Sequence, residues 1–181
     1  MKTMHTNRRS SIAFVSLWLA AGCAGPGGPN KVEDISGVKN LSRDGRIYIG
    51  GTPDHEGLTA LRARGVRTVI DLRQSEELRG DEAEAARQRG MVYHHLPMQS
   101  DQLTEQQAEA FIRIMRDCDK EPVLVHCAGG SRAGAMYGLY LGADGKCPLD
   151  EAIQRARAAG LRNEKLEKDL EVSLRNRKQT E

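Results

Sequence analysis

The segment Val125-His126-Cys127-Ala128-Gly129-Gly130-Ser131-Arg132-Ala133-Gly134 concentrates the residue types that do chemistry. Pro122-Val-Leu-Val-His126 reads as a short strand suited to the buried centre of a sheet, and it delivers Cys127 at its end. The glycines let backbone N–H groups turn inward without Cβ clashes, and Arg132 stands where the next helix should start. Ala128, Gly129, Gly130 and Ser131 would then form an oxyanion nest, with converging amides and the positive end of a helix dipole. That field and the Arg132 guanidinium favour the Cys127 thiolate, which is the nucleophilic form. Arginine holds two oxygens of an anion in one planar fork, which lysine cannot do. A nucleophilic sulfur beside such a cradle suits phosphoryl transfer through a cysteinyl-phosphate intermediate.

The elements that position this loop alternate between strand and helix. Arg46-Ile-Tyr-Ile49 follows an Asp44-Gly45 turn as the second strand of a hairpin. Thr52-Pro53-Asp54 opens a helix that runs to Arg64 and stops at Gly65. Val66–Leu72 reads as a strand, Glu76–Arg89 as a helix, and Met91–Leu96 as a strand ended by Pro97. Thr104-Glu-Gln-Gln107 has the form of a capping box, with Ala108, Phe111, Ile112 and Met115 on one face of the helix behind it. Helices over 149–159 and 163–178 complete the domain, the second with Leu166, Leu170 and Leu174 four residues apart. This order predicts an α/β three-layer sandwich with a mostly parallel central sheet.

The signature segment resembles the catalytic loop of cysteine-dependent tyrosine and dual-specificity phosphatases. Arg46-Ile-Tyr-Ile-Gly-Gly-Thr-Pro53, Gly65-Val-Arg-Thr-Val-Ile-Asp-Leu-Arg73 and Tyr93-His-His-Leu-Pro97 resemble compact bacterial members of that group. The similarity is greatest to the domains called beta-lactamase-hydrolase-like and to those fused to NAD kinase, over about residues 38–145. It implies the dual-specificity type of fold and a phosphomonoester hydrolase in which His126 orders the loop and tunes Cys127. The usual loop places five residues between Cys and Arg, whereas four separate Cys127 from Arg132. The beta-lactamase-hydrolase-like group shares the short spacing, and rhodanese sulfurtransferases also use a short cysteine loop. Ala133 stands where a Ser or Thr often follows the Arg, which predicts slower breakdown of a phosphoenzyme unless Ser131 substitutes. Two alternatives therefore stand beside the phosphatase: a non-catalytic phosphate-binding relative and a rhodanese-like sulfurtransferase.

Phosphate ester hydrolysis also needs an acid for the leaving oxygen. The resemblance places it after the Leu96-Pro97 strand, where Asp101 is the only acidic residue before Thr104. Asp101 reads equally well as an ordinary loop residue before a helix start. Asp71 and Arg73 end another strand at the edge where ligands gather in open α/β sheets. Asp71 reads first as a structural acceptor and second as an alternative acid, and Arg73 as a helper in binding the substrate anion. His94 and His95 are adjacent and point to opposite faces of their strand, and with His55 and Cys118 they give no zinc spacing. No metal or other cofactor is expected.

Lys2, Arg8 and Arg9 precede the apolar run Ile12–Ala21, which is too short to span a bilayer. A basic start and short apolar stretch ending in small residues read as an export signal over residues 1–22. Leu19-Ala-Ala-Gly-Cys23 resembles a bacterial lipobox, which implies a lipid on Cys23 and a periplasmic protein anchored to a membrane. Ala24 in place of Asp implies the outer membrane rather than the inner. Residues 23–31 would be the lipidated Cys and a flexible tether, 32–175 the catalytic domain and 176–181 a polar tail. Removing the leader takes the formal charge of the 181-residue chain from +2 to −1, so its slight basicity belongs to targeting. A mean hydropathy of −0.56 excludes a polytopic membrane protein. With 4% aromatic residues, no Walker-type lysine and no dinucleotide fingerprint, a nucleic-acid or nucleotide partner is not expected. The expected partner is a phosphorylated protein or a small phosphomonoester. In an oxidising compartment Cys118 and Cys147 are a possible disulfide pair that leaves Cys127 free, although spacing alone does not set their distance.

Overall fold

The computed structural model describes residues 27–178 except 33, 34, 119, 144 and 146. The expected export signal, Cys23 and residues 24–26 of the expected tether lie outside the described residues. Among the described residues, one mixed sheet holds β1 (Asn30–Lys31), β2 (Ser42–Asp44), β3 (Ile47–Gly50), β4 (Thr68–Asp71), β5 (Val92–His95) and β6 (Val123–His126). Their order across the sheet is β1-β2-β3-β6-β4-β5. The β1–β2 and β2–β3 pairs are antiparallel, whereas β6 pairs in parallel with β3 and β4, and β4 with β5. The strand that leads into Cys127 is therefore central. All four of its residues are buried, which explains why Val123-Leu-Val125 is an uninterrupted apolar run.

Alternation along the strands divides the interior in two. Tyr48, Val69 and Leu124 face α1 (His55–Ala63) and α2 (Glu82–Gln88), meeting Leu58, Leu61, Ala85 and Ala86. Ile47, Ile49, Ile70, Val123 and Val125 face the opposite layer of α3 (Glu105–Asp117), α4 (Ser131–Gly142), α5 (Leu149–Ala158) and α6 (Glu164–Lys178). The result is the expected three-layer α/β sandwich. Local signals act as anticipated: the Asp54 carboxylate accepts from Gly57 N at 2.8 Å at the start of α1. Thr104 and Gln107 form both halves of the capping box that opens α3.

Three boundaries differ from expectation. The helix expected over Glu76–Arg89 is a 3-10 turn, Ser75–Glu77, followed by an extended Leu78 and then α2. The two pieces are separated at Gly80, whose φ is +74°, and the Glu77 carboxylate bonds Gln74 N locally and Arg132 across the fold. Asn30 and Lys31, assigned to the tether, pair with Arg43 and Ser42 as an edge strand. Residues 176–178, placed in the polar tail by the domain division, belong to α6, which ends at Lys178 as the helix expected over 163–178 does.

The helix that follows the cysteine loop is packed unusually close. Gly134 and Gly138 lie four residues apart on the face of α4 towards α5. A Cβ on Gly134 would stand 2.6 Å from Leu161 N, and one on Gly138 would stand 2.7 Å from Ala156 Cβ. Each helical Gly costs about 0.5–1 kcal/mol relative to Ala, and the close helix contact offsets it. Gly138→Val should therefore destabilise the domain by about 1–3 kcal/mol through overpacking. Thermal unfolding should show a Tm lower by about 5 °C, and an unchanged Tm would refute the close packing.

Candidate active site

β6 carries Cys127 to the C-terminal edge of the sheet, where its main chain is fixed from two sides. Cys127 N donates to Gly50 O at 3.3 Å, and Thr52 Oγ1 donates to Cys127 O at 3.2 Å. The side chain is 2% exposed. Ala128 and Gly129 arch outward, exposed, and Asn40 Nδ2 holds the arch by donating to Gly129 O at 3.0 Å. The loop closes on Gly130, whose φ of +105° a residue with a Cβ rarely adopts. That conformation turns Gly130 N onto Cys127 Sγ at 3.1 Å. Four residues between Cys127 and Arg132 are thus enough to close the cradle.

Arg132, one residue into α4, is 5% exposed. Glu77 grips its guanidinium with both carboxylate oxygens, each at 2.6 Å, and the same Nη1 donates to Met98 O at 2.9 Å and Leu72 O at 3.3 Å. Burial opposes the Arg132 charge, but Glu77 and the neighbouring Cys127 outweigh it and raise its pKa. Arg132 in turn holds the Glu77 carboxyl below the usual range. Glu77 was not among the expected site residues. It lies 55 positions from Arg132, and in sequence it is one of several acids in an apparently helical stretch.

A second buried polar group gathers at the C-terminal ends of β4 and β6 and the start of α2. Asp71, Arg73, Glu82 and His126 are 0%, 3%, 8% and 0% exposed. Arg73 Nη2 lies 2.6 Å from Asp71 Oδ2 and 2.6 Å from Glu82 Oε2. Tyr93 OH donates to Asp71 Oδ2 at 2.5 Å, and His126 Nε2 lies 2.8 Å from Glu82 Oε1. Burial would raise the Asp71 pKa, but hydrogen bonds from Arg73 and Tyr93 and the charge of His126 bring it below the ordinary value. Burial and the Asp71 carboxylate raise the Tyr93 pKa, so its proton stays on the phenol.

The expected residues thus fall into separate places. Cys127, Ala128, Gly129, Gly130, Ser131 and Arg132 form one loop, with His126 beneath it. Arg73, expected to help bind an anion, is instead enclosed by two protein carboxylates, because its strand end points into the interior. Asp71 is a fully used acceptor, as its first reading held. Asp101 is exposed, with its carbonyl accepting from Lys165 Nζ at 2.6 Å and its carboxylate 3.7 Å from the same ammonium. Ser131 Oγ accepts from Arg162 N at 3.0 Å. Cys118 is a free thiol, so it is not paired with Cys147. Asp71, Glu82 and His126 place three ligand-type atoms within 4.8 Å of one another, but the Arg73 guanidinium already supplies a cation to both carboxylates.

Comparison with known proteins matches residues 30–173 to the family described as DSP-PTPase phosphatase fused to NAD+ kinase. A beta-lactamase hydrolase-like protein of Xylella fastidiosa (strain Temecula1) is 34% identical over 128 residues, and one of Agrobacterium fabrum is 33% identical over 114. These matches cover 68% and 60% of this chain but 30% and 26% of the relatives, so the chain corresponds to less than a third of their length. Among solved structures, a DUF442 protein of Shewanella putrefaciens CN-32 superposes with a TM-score of 0.67 at 25% identity, covering 78% of this chain and 95% of that one. TpbA of P. aeruginosa shares the fold, with a TM-score of 0.66 at 20% identity over 83% of this chain and 91% of its own. A variant of TpbA has a structure in complex with phosphotyrosine.

The two depressed carboxyl pKa values fix the sign of an acid response. Asp71 and Glu77 titrate lower when folded than when unfolded, so the unfolded chain binds more protons as pH falls. Their stabilisation is complete above the unfolded value of about 4 and is lost as pH falls through the lower folded values. Tm should therefore fall steeply below about pH 4. Asp71→Asn should lower stability at pH 7 by about 3 kcal/mol and flatten that acid slope, as read by thermal melts across pH.

Proposed function

The chain belongs to the family described as DSP-PTPase phosphatase fused to NAD+ kinase, and from that premise we propose that it hydrolyses a phosphomonoester by covalent catalysis at Cys127. The observation that carries this reading is the Gly130 N–H directed at Cys127 Sγ, 3.1 Å away, beside a guanidinium held rigid at the start of α4. In the first step the thiolate of Cys127 attacks phosphorus, an S–P bond forms and the P–O bond to the leaving group breaks. The proton on the leaving oxygen comes from Asp101. In the second step water attacks phosphorus, its proton passes to Asp101, and the S–P bond breaks to regenerate the thiolate. Ala128, Gly129, Gly130 and Ser131 amides and Arg132 stabilise the phosphoryl oxygens, where charge accumulates in both transition states. Glu77 keeps the guanidinium in place between turnovers. Arg73 takes no part in binding the anion, and no cofactor is invoked.

The phosphotyrosine complex of TpbA, which shares the fold, supports a phosphorylated protein or small phosphomonoester as substrate. The leader and the Leu19–Cys23 motif support a periplasmic protein held to the outer membrane by a lipid on Cys23. Among the described residues, no helix is long and apolar enough to cross a membrane.

Purified chain should hydrolyse para-nitrophenyl phosphate, and Cys127→Ser should remove all activity. Arg132→Lys should reduce kcat/KM by about 100-fold, since a point charge cannot replace the fork. Phosphatase activity surviving in Cys127→Ser would defeat the mechanism. Turnover of thiosulfate in its place would indicate a sulfurtransferase, and tight phosphate binding without turnover would indicate a binding protein. Asp101→Asn should slow phenyl phosphate by about 100-fold and para-nitrophenyl phosphate far less, because the better leaving group needs little protonation. Equal effects on both esters would remove Asp101 from the acid role.

In cells, wild-type chain should incorporate labelled palmitate and fractionate with membranes, whereas Cys23→Ala should do neither. Membrane fractionation of Cys23→Ala identical to wild type would overturn the lipid anchor.

A further inference from the structure

Asn40 is exposed, yet its side chain meets the cysteine loop 89 positions further along the chain, where Nδ2 donates to Gly129 O at 3.0 Å. Among the described residues it is the one non-glycine residue with a positive φ, +53°. Asparagine enters that left-handed conformation more readily than most side chains, but still at a cost. Main-chain bonds hold the residues on either side of it. Gly51 N donates to Lys39 O at 2.8 Å, and Val32 N donates to Leu41 O at 3.0 Å. The backbone is thus anchored around Asn40, and its strained twist is kept at the point where the side chain meets the loop.

The peptide that Asn40 binds is the one that faces Cys127. Gly129 O and Gly130 N belong to a single peptide unit, and no peptide bond among the described residues is cis. In a trans peptide the C=O and the N–H point in opposite directions. With Asn40 Nδ2 on the oxygen, the N–H is directed the other way, onto Cys127 Sγ at 3.1 Å. Sterics alone do not fix this plane. Glycine stands at both of its ends, and a Cβ on Gly129 would meet nothing within 4 Å. A half-turn of the peptide would carry the φ of Gly130 from +105° into the ordinary negative range. It would also turn a carbonyl oxygen into the cradle, an acceptor where an anion needs a donor. A hydrogen bond from outside the loop distinguishes the two orientations, and Asn40 supplies it.

We infer that Asn40 is a positioning residue of this site: it fixes the Gly129–Gly130 peptide from outside the loop, so that the Gly130 N–H faces Cys127 and the phosphoryl oxygens. Its use in catalysis rests on the phosphatase reading, whereas the orientation of the peptide depends on no substrate. Asn40 acts through the Gly129 carbonyl and is not itself a catalytic residue.

Asn40→Gly and Asn40→Asp both accommodate the positive φ but lack the amide donor, and the second also sets a carboxylate against the Gly129 carbonyl. The side chain is exposed, so neither change disturbs the core, and thermal melts verify folding at the assay temperature. In the full chain, hydrogen exchange of the Gly130 amide is followed by NMR. The amide of Gly134, which donates to Gly130 O at 2.8 Å, serves as the reference. Gly130 should exchange about tenfold faster in both variants, with Gly134 at its wild-type rate. With para-nitrophenyl phosphate, kcat/KM should fall about 10-fold in Asn40→Gly and about 100-fold in Asn40→Asp, and orthovanadate should inhibit more weakly by the same factors. A role confined to stability would leave all of these readings unchanged in folded protein. An unchanged Gly130 exchange rate overturns the inference, and so do activity and vanadate inhibition equal to wild type. If the wild-type chain hydrolyses no phosphate ester, the phosphatase reading fails and the exchange comparison alone decides the role of Asn40.

Discussion

Two guanidiniums lie buried at the C-terminal edge of the parallel strands, and neither could stay there without carboxylates around it. Arg132 is answered by Glu77, and Arg73 by Asp71 and Glu82. Removing one partner from a buried pair costs about 3–5 kcal/mol, a large share of the roughly 5–15 kcal/mol by which a domain is stable. These pairings go with the path of the chain between β4 and α2, which turns at Gly80 with a φ of +74°. The 3-10 turn is placed to bring Glu77 to Arg132, and the extended Leu78 that follows lets α2 begin at the point where Glu82 reaches Arg73. A single continuous helix over this stretch would not present both acids as they are found.

The same edge is made rigid from the other side by α4. Its first turn supplies Arg132 and the amides of the cradle, and its glycine face lets α5 approach closely behind it. A loop that must hold a sulfur, a backbone amide and a guanidinium within a few ångströms needs such a platform, since small errors in position are costly in rate. Asn40 and Thr52 add bonds from the β2–β3 hairpin side, tying the loop to a separate part of the sheet. Cys127 is thus held from α4 and from the β2–β3 side, and its own strand, β6, runs through the middle of the sheet.

Membership in the phosphatase family and the geometry of the loop agree at the level of residue type. The chain keeps the Cys, the glycines and the Arg while shortening the loop and placing Ala133 after the Arg. The structure accommodates the shorter loop through one left-handed residue, Gly130. Positive charge at this site is accordingly local, and its two guanidiniums are faced by three protein carboxylates.

Local physics made much of this legible in the sequence. The apolar run of β6, the capping residues Asp54 and Thr104, and the glycine-rich turn before Arg132 each act through near neighbours, so their order gave the α/β sandwich and the cysteine loop. Distance in the chain hid the rest. Nothing near Glu77 or Glu82 marks them as partners of Arg132 and His126, because a buried charge finds its counterion through space. Arg73 shows the limit most clearly: its position at a strand end suggested an anion-binding side chain, and only packing turned it inward to neutralise Asp71 and Glu82. Sequence alone determined which residues could do the chemistry. The tertiary structure decided which charges remain for a substrate, since charge compensation in a low-dielectric interior depends on three-dimensional neighbours that chain order does not specify.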